Sequence, residues 1–553
     1  MLHALELENF KAFGQRTRIE FAPITLIFGE NSAGKSTILQ ALNLLKQTRE
    51  SREQGSVLLP RAEGGISDLG SFQELLFDHN TDLSLVIRVE LSSRRTRFLP
   101  RRLARAIGEQ PTVGYEVSFR RRPNDNEVCL EHLLLLLGDN PNPVLRFEPT
   151  ELEPEERRNL RQSPYYWRTR HPIRPSELRA AKCVAITEEG DLWSDAFEYC
   201  IQNSPEIVRS LELFSDETLG RKRADQSTLF AEENAYRDAL KRAIAFYSRQ
   251  FTMPEFVERM REAQIGAIVA LDGFTAMPVP FTRSHDFPEF AATRQFGGPG
   301  RLRDVFGADA AALMFESARL LDDALELLFP MGPFRRPPER WYIFTGTSPK
   351  DVGYRGQLLP DLLFRRHELV EQTNQWLDRL GVGYHVDPKP VGTNSQDLFE
   401  LRLVDQRRGK PIDVALSDVG FGISQLLPFV VQCLASEGQI ITIEQPEVHV
   451  HPRLQSDLAD LLIETTQEPR GHRFIIETHS EHLILRLLRR IRETSDGELP
   501  KGHPGLRPDQ LSVIYVSRGE GGSVVQRLRV DERGEFIDRW PNGFFEERAK
   551  EIF

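Results

Sequence analysis

The sequence predicts an α/β protein in two lobes, with mixed sheets, a helical insertion and a small C-terminal α+β domain. Three observations carry that expectation. Near both ends, apolar strand-like runs lead into polar or glycine-bounded turns and then into amphipathic helical spacing, the order of an open α/β sheet. Between residues 151 and 340 the texture becomes charge-rich and helix-forming. The last stretch is turn-rich with two further β-like runs. At 553 residues there is room for about three or four domains. The expected divisions are 1–150 (first lobe with a β-subdomain), 151–340 (mainly helical insertion), 341–496 (second lobe) and 497–553 (small C-terminal domain).

The elements follow in chain order. Leu2–Glu8 alternates like a strand, and Arg18–Phe21 leads through Pro23 into the apolar run Ile24–Phe28. Turn residues come next, and then Ser36–Lys46 carries Ile38, Leu39, Leu42 and Leu45 at helical spacing. Further β-like stretches are Leu83–Leu91, Thr112–Arg120, Glu127–Leu135 and Val144–Glu148. In the second lobe, strands are expected at Trp341–Thr345, Leu398–Val404, Ile440–Ile443 and Phe474–Ile476. Helices are expected at Glu368–Leu380, Leu426–Leu434, Arg453–Glu464 and Glu481–Arg492. Leu511–Val516 and Val524–Val530 close the chain as strands. No internal repeat, low-complexity tract or sustained heptad array is present, so the middle reads as compact helices and not a coiled-coil arm.

Composition narrows the function classes. Lys plus Arg number 71 against 82 Asp plus Glu, a net charge of −11. That disfavours a uniformly basic nucleic-acid coat and leaves room for a local basic groove. Cys129, Cys183, Cys200 and Cys433 are scattered with no C-x-x-C pair. Neither a zinc ribbon nor a disulfide framework is indicated, and a reducing cytoplasm fits best. The first residues lack a basic region and apolar run of the secretory kind. The longest aliphatic run, Leu133–Leu137, is far too short to span a bilayer. No membrane association is expected.

Four segments carry chemistry. Gly29-Glu30-Asn31-Ser32-Ala33-Gly34-Lys35-Ser36-Thr37 satisfies G-x-x-x-x-G-K-[ST] between a strand and a helix. Its glycines let successive backbone N–H groups face one centre, and the helix N-terminus adds its dipole. Lys35 supplies a point charge for the outer phosphates, and the Ser36 hydroxyl can ligate Mg²⁺. This is a nucleoside-triphosphate site. Far along the chain, Ile440–Ile443 is an apolar strand that ends in Glu444-Gln445-Pro446-Glu447. A carboxylate there can hold the metal's water shell from across the sheet. His449 and His451 lie two apart beside Pro452, without the third ligand a metal site requires. Phe474–Ser480 puts His479 just beyond a second buried strand, where an imidazole can sense a γ-phosphate or the attacking water. Read alone it is an ordinary loop histidine, and the order of the motifs reverses that preference. Finally, Leu416–Gln425 opens a helix with Gly420, Gly422, Ser424 and Gln425. That is a second anion-binding surface if a twin subunit presents its nucleotide to it, or a capped helix start if none does.

Taken in order, these segments resemble an ABC-type ATPase head of the SMC, recombination-repair and OLD (overcoming lysogenization defect) kind. Asn9-Phe10-Lys11 looks like the entry strand of those heads, which places Lys11 near the nucleotide. Gln73 in Gly70-Ser71-Phe72-Gln73 is similar to a Q-loop and enters as a metal ligand beside Ser36 and Glu444. Leu416–Gln425 resembles the signature, Glu444–Pro452 the Walker B and D-loop, and His479 the switch histidine. A nearer likeness is to the prokaryotic subgroup reading EQPE-HxHP and VGFGISQ and ending in a WPxGFF element, here Trp540–Phe545. Several such proteins are ATPase subunits of Septu-type or retron-associated anti-phage defence systems, paired with a separate HNH-type nuclease. The resemblance implies ATP and Mg²⁺ as cofactors, a homo-oligomer joined through ATP-bridged heads, and a nuclease partner. It covers both ends and the last third of the chain, with no motif matched in 151–340.

Two departures matter. Glu444 replaces the usual Walker B Asp, and its extra methylene still reaches a metal-bound water. Gln445 occupies the usual catalytic Glu position. An amide cannot accept a proton from water, a loss worth a factor of about 10²–10⁴. Glu447 is the nearest replacement carboxylate, so Glu444, Gln445, Glu447 and His479 form the expected catalytic set, with slow turnover. Arg94–Arg105 holds six arginines and no acid. It reads as a grip on DNA or RNA phosphates, or as a solvated loop or docking surface for an acidic partner. Only about fifty residues follow the last motif helix and its linker, too few for the C-terminal TOPRIM nuclease of OLD proteins, so a nuclease is expected on a separate chain. Two alternatives stay open: a DNA-repair or maintenance ATPase gripping DNA, and an ATP-loaded scaffold that does not hydrolyse.

Overall fold

The computed structural model describes residues 1–51, 56–62, 65–92, 112–124, 126–138, 140–152, 179–186, 193–221, 230–277, 281–282, 289, 309–333, 335–344, 346–392, 397–407 and 411–541. The chain forms two compact units. One comprises Leu7–Gln47, Pro60–His79 and Leu325–Phe553, and the other Met1–Glu6, Thr48–Leu59 and Asn80–Ala324. The arginine-rich segment 94–105 lies outside the described residues, as do 542–545 of the C-terminal element.

Every sequence-derived site residue falls in the first of these units. Its main elements are β1 (Ile24–Gly29), α1 (Lys35–Glu50), β2 (Leu328–Met331), α2 (Phe421–Ala435), β3 (Ile440–Glu444), α3 (Pro452–Thr466), β4 (Arg473–Glu477), α4 (Glu481–Ser495), β5 (Leu511–Gly519) and β6 (Gly522–Leu528). The strands form one six-stranded sheet in the order β2-β3-β4-β1-β5-β6. All neighbours are parallel except the β5–β6 hairpin. Strands covered on both faces read as unbroken apolar runs, and β1 is buried at every residue. Register sets the site. Ile27 pairs with Glu477, and Glu477 with Glu444, so two carboxylates and the end of β1 emerge together at the carboxyl edge of the sheet. Ligands of open α/β sheets bind at that edge.

The covering helices follow from their apolar spacing. In α4, Leu483, Ile484, Leu487, Leu488 and Ile491 are buried at i, i+3 and i+4 steps. Its start is fixed by Ser480, whose hydroxyl accepts the Leu483 N–H at 3.1 Å, a cap worth about 1 kcal/mol. Buried Asp460 of α3 receives Arg490 at 2.7 Å and Arg486 at 2.6 Å, which ties α3 to α4. A smaller antiparallel sheet joins Tyr342–Ile343, Tyr384–Pro390, Leu398–Asp405 and Ile412–Ala415. Leu398–Asp405 buries alternate residues, the pattern of a strand covered on one side only.

The expectation for 497–553 was a small domain. Here β5 and β6 are part of the central sheet, with β5 beside β1. So short a piece has too little interior of its own, and it gains one by adding to the existing sheet. Trp540 packs edge-on to Phe28 at 5.6 Å and close to Phe536 at 4.9 Å, bracing β1 just before its glycine turn.

The other unit is built on antiparallel pairing of Leu85–Ser92, Thr112–Arg121, Val128–Leu137, Leu145–Thr150, Arg179–Ile186 and Ala267–Asp272. Residues 151–340, read as mainly helical, do carry helices Ser194–Gln202, Ser204–Arg221, Phe230–Tyr247, Met253–Gln264 and Asp309–Leu327. They also supply the last two of those strands. Arg179–Ile186 is rich in alanine and interrupted by Lys182, a composition that favours helix in a local reading. Its strand state comes from pairing with Leu145–Thr150, a contact no local pattern encodes. Among the described residues no helix is long and apolar enough to cross a membrane.

Candidate active site

The turn after β1 has the backbone of a phosphate cradle. Gly29 has φ +142° and Gly34 φ +96°; a Cβ on Gly29 would lie 2.0 Å from the Val516 carbonyl oxygen. A Cβ on Gly34 would lie 2.5 Å from Ser523 Oγ and 2.8 Å from Ala12 Cβ. Ser32 is also in the left-handed region, at φ +60°. Asn31 and Ser32 are exposed, Gly34 and Ser36 half-buried, and Ala33, Lys35 and Thr37 buried. The loop is held from outside by Ser523 Oγ, which donates to Ala33 O at 2.6 Å. Arg518 donates to Asn31 O at 3.4 Å. Lys35 Nζ donates to the Gly29 and Glu30 carbonyls at 3.0 and 2.8 Å, so the loop's own oxygens hold the ammonium.

Facing this loop is a cluster of acids. Glu477, at the end of β4, accepts a hydrogen bond from the Ser36 hydroxyl and lies near Lys35. Burial raises its carboxyl, and both neighbours act against that rise. Glu477 Oε2 is buried with no hydrogen-bond partner among the described residues. Glu444 is its neighbour on β3; burial, and then Glu477, push its carboxyl up to about 7. A carboxyl raised in the fold binds its proton more tightly there than in the unfolded chain. The nucleotide-free protein is therefore most favoured below the unfolded value of 4.5 and loses that stability as pH climbs toward about 7. Glu444→Gln is expected to raise the nucleotide-free melting temperature at about pH 8, with a gain that fades toward about pH 5. Thermal melts across that range check it; a pH-independent gain would rule it out.

Gln445 is half-buried with φ +46°, and its N–H donates to Glu477 O at 2.7 Å. Glu447 Oε1 accepts the His479 backbone N–H at 2.6 Å, while its Oε2 is buried without a partner among the described residues. Burial raises the Glu447 carboxyl, and the His479 N–H opposes that rise. His479 is half-buried, and burial followed by the Lys35 charge lowers its imidazole, which favours the neutral ring. His451 caps α3, its Nδ1 accepting the Arg453 N–H at 3.3 Å.

The remaining expected residues are placed as follows. Lys11 has φ +48°, and its N–H donates to Leu75 O at 2.7 Å. Burial lowers its ammonium, with Glu74 acting in the opposite sense. Its neighbour Ala12 touches the cradle at Gly34. Gln73 sits exposed on the short helix Phe72–Leu75. At the tip of α2, Gly420 is exposed and surrounded by open space. Gly422 approaches the backbone after Glu447 so closely that a Cβ would lie 2.6 Å from His449 O. Ser424 and Gln425 are turned inward, each 6% exposed. Ser424 lines a cavity of about 320 Å³ with Tyr342 and Pro428, and Gln425 Oε1 accepts the Arg335 N–H at 3.3 Å. The exposed part of the tip is therefore its glycine backbone, not those two side chains.

The cradle, the ammonium and the partnerless acid oxygens fit a nucleoside triphosphate with Mg²⁺. Among the described residues no group of three or more His, Cys, Asp or Glu side chains could hold a metal. Mg²⁺ is ordinarily held by one or two protein oxygens with phosphates and water completing the shell, oxygens that Ser36 and Glu444 could supply.

With the geometry in hand, comparison with known proteins gives the following. Residues 1–96 and 377–484 match the family described as AAA ATPase domain. Those two stretches are similar to an ATPase domain. Residues 506–553 match a family described as protein of unknown function (DUF3696). No curated protein sequence matches the chain. Among solved structures, it is similar to the SMC head domain with an extended coiled coil bound to the C-terminal domain of ScpA from Pyrococcus furiosus. That match has 13% identity and TM-score 0.37 and covers 100% of this chain and 98% of the other. The SMC head domain from Thermotoga maritima matches at 11% identity and TM-score 0.33, covering 96% and 99%. A head with coiled coil and joint from Pyrococcus yayanosii matches at 14% identity and TM-score 0.34, covering 95% and 97%.

Two residues at or near this candidate site were not singled out from the sequence. Glu477 carries the same signal as Glu444, an apolar strand ending in a carboxylate. Arg335 has no local signal, since its place depends on Gln425, ninety residues away, whose side chain accepts its backbone N–H.

Proposed function

We propose that the chain is the slowly hydrolysing ATPase subunit of an ABC-type assembly, a switch that dimerises around ATP and governs a separate effector. The observation that carries this reading is the convergence of Lys35 and Ser36 with Glu477, Glu444, Glu447 and His479 at one edge of the sheet. ATP displaces the Gly29 and Glu30 carbonyls from Lys35, and the Ser36 hydroxyl would be free to leave Glu477 for a cation. Ser36, and Glu444 through water, would hold Mg²⁺, which would supply charge neutralisation for the outer phosphates. Gln445 orients water, as glutamine does in small GTPases. Glu447 takes the water's proton as its oxygen bonds to the γ-phosphorus, and ADP leaves with the electrons of the broken P–O bond. In the dimer, each site is completed by the Gly420–Gly422 backbone of the twin. ATP shifts the population by binding the closed form more tightly than the open one.

The effector reading rests on the resemblance of the EQPE, VGFGISQ and WPxGFF segments: a separate HNH-type nuclease in prokaryotic anti-phage defence. Gln445 favours a second reading, an ATP-loaded scaffold without turnover. Single-turnover hydrolysis and light-scattering mass with Mg·ATP separate the two. The switch predicts ATP-dependent doubling of mass and measurable hydrolysis slower than about 10 s⁻¹, the ordinary enzyme median. Faster turnover, or mass unchanged by ATP, overturns it.

A further inference from the structure

We infer that Arg335 is a positioning residue that couples the tip of α2 to the carboxylate of Glu447. Arg335 lies just beyond β2 and is 4% exposed. Its backbone N–H is fixed on the Gln425 side chain at 3.3 Å, and its Nη1 donates to Pro333 O at 3.0 Å. The other guanidinium donors, Nε and Nη2, are buried without a partner among the described residues, as is Glu447 Oε2. Met331 of β2 pairs in parallel with Ile443 of β3, so Arg335 and Glu447 each follow four residues after paired positions on neighbouring strands, and the Glu447 charge acts against the cost of burying this guanidinium.

Leaving a charged group buried and incompletely bonded is unfavourable, and a hydrophobic side chain of similar volume serves packing better. Structure alone therefore gives no reason for arginine here. The unmet donors and the unmet acceptor are complementary, and each is anchored to a different functional segment. Arg335 is anchored to the α2 tip through Gln425, and Glu447 to the His479 turn at 2.6 Å. A small displacement of the tip moves the Arg335 backbone and closes or opens the pair. Loading of the tip by a second copy thus reaches the base that activates water. This extends the proposed function and rests on its assignment of Glu447 as the base.

The test uses full-length Arg335→Met, Arg335→Lys, Gln425→Ala and Glu447→Gln, with the Arg335→Met/Glu447→Gln double variant. Arg335→Met is expected to lower kcat for ATP by roughly 100-fold, the scale of a misplaced catalytic group, with KM unchanged within about threefold. Arg335→Lys restores part of the loss. Gln425→Ala shows a smaller loss of the same kind, and it keeps the test open if Arg335→Met fails to fold. In the Glu447→Gln background, Arg335→Met changes kcat less than about twofold. A higher KM at full kcat, or the same loss with and without Glu447, overturns the inference. Thermal melts of the same variants without nucleotide read the pair independently of turnover. Non-additive shifts for Arg335 and Glu447 support the inference even if the wild type binds ATP and never cleaves it, a result that would sink only the hydrolytic reading. Additive shifts overturn it.

Discussion

Glu447→Gln is expected to slow single-turnover ATP hydrolysis by about 10²–10⁴-fold, the usual contribution of a general base, and to leave ATP binding nearly unchanged. The substitution keeps an oxygen where Glu447 Oε1 accepts the His479 N–H at 2.6 Å, so the turn carrying His479 is retained. It removes the one property an amide lacks, the capacity to take a proton. Stability should change little. Burial already raises the Glu447 carboxyl, so a neutral group suits the pocket, while Arg335 loses the charge that supports it. These effects oppose each other. With cleavage blocked, the ATP-bound dimer should persist, seen as a doubled scattering mass that outlasts the wild type's. Unchanged turnover would move the base elsewhere. Glu477 would be the next candidate, since its Oε2 is also buried and without a partner among the described residues.

The legible parts of the fold are those written locally. β1, β3 and β4 were readable because a strand covered on both faces must be continuously apolar. α1, α3 and α4 were readable because one face of each must be apolar at 3.6-residue spacing. The cradle was legible because few residue types tolerate the φ values of Gly29 and Gly34. What could not be read is whatever depends on partners far along the chain. The hairpin of β5 and β6 has a strand pattern, but nothing local says that β5 lies beside a strand nearly five hundred residues earlier. Ser424 and Gln425 were expected at a twin's nucleotide because a glycine- and serine-rich helix start can bind anions. The structure buries both: Ser424 lines a cavity beside Tyr342 and Pro428, and Gln425 is taken up by the Arg335 N–H, contacts that no local pattern encodes. Lys11 was placed beside the nucleotide by likeness alone. It is Ala12, next to it, that touches Gly34, while Lys11 has Glu74 for company.

Lys35→Ala is expected to abolish stabilisation by Mg·ATP. Wild type at a ligand concentration of about 100 times Kd gains roughly 2.7 kcal/mol, a rise in melting temperature that the variant should lack. Each hydrogen bond from the ammonium to phosphate is worth about 1.5–3 kcal/mol, so losing even one weakens binding by roughly ten- to a hundredfold. Without nucleotide the consequences are smaller and of mixed sign. The Gly29 and Glu30 carbonyls lose a donor, which destabilises the loop. Glu477 and Glu30 lose a neighbouring positive charge, which raises the burden of ionising the buried acid. Against these, an ammonium whose burial opposes its charge is no longer desolvated. A modest fall in nucleotide-free melting temperature is the expected sum. Differential scanning with and without Mg·ATP separates the two effects. If the variant is protected by ATP as fully as the wild type, the phosphates do not lie against this loop, and the acids across from it lose their role as well.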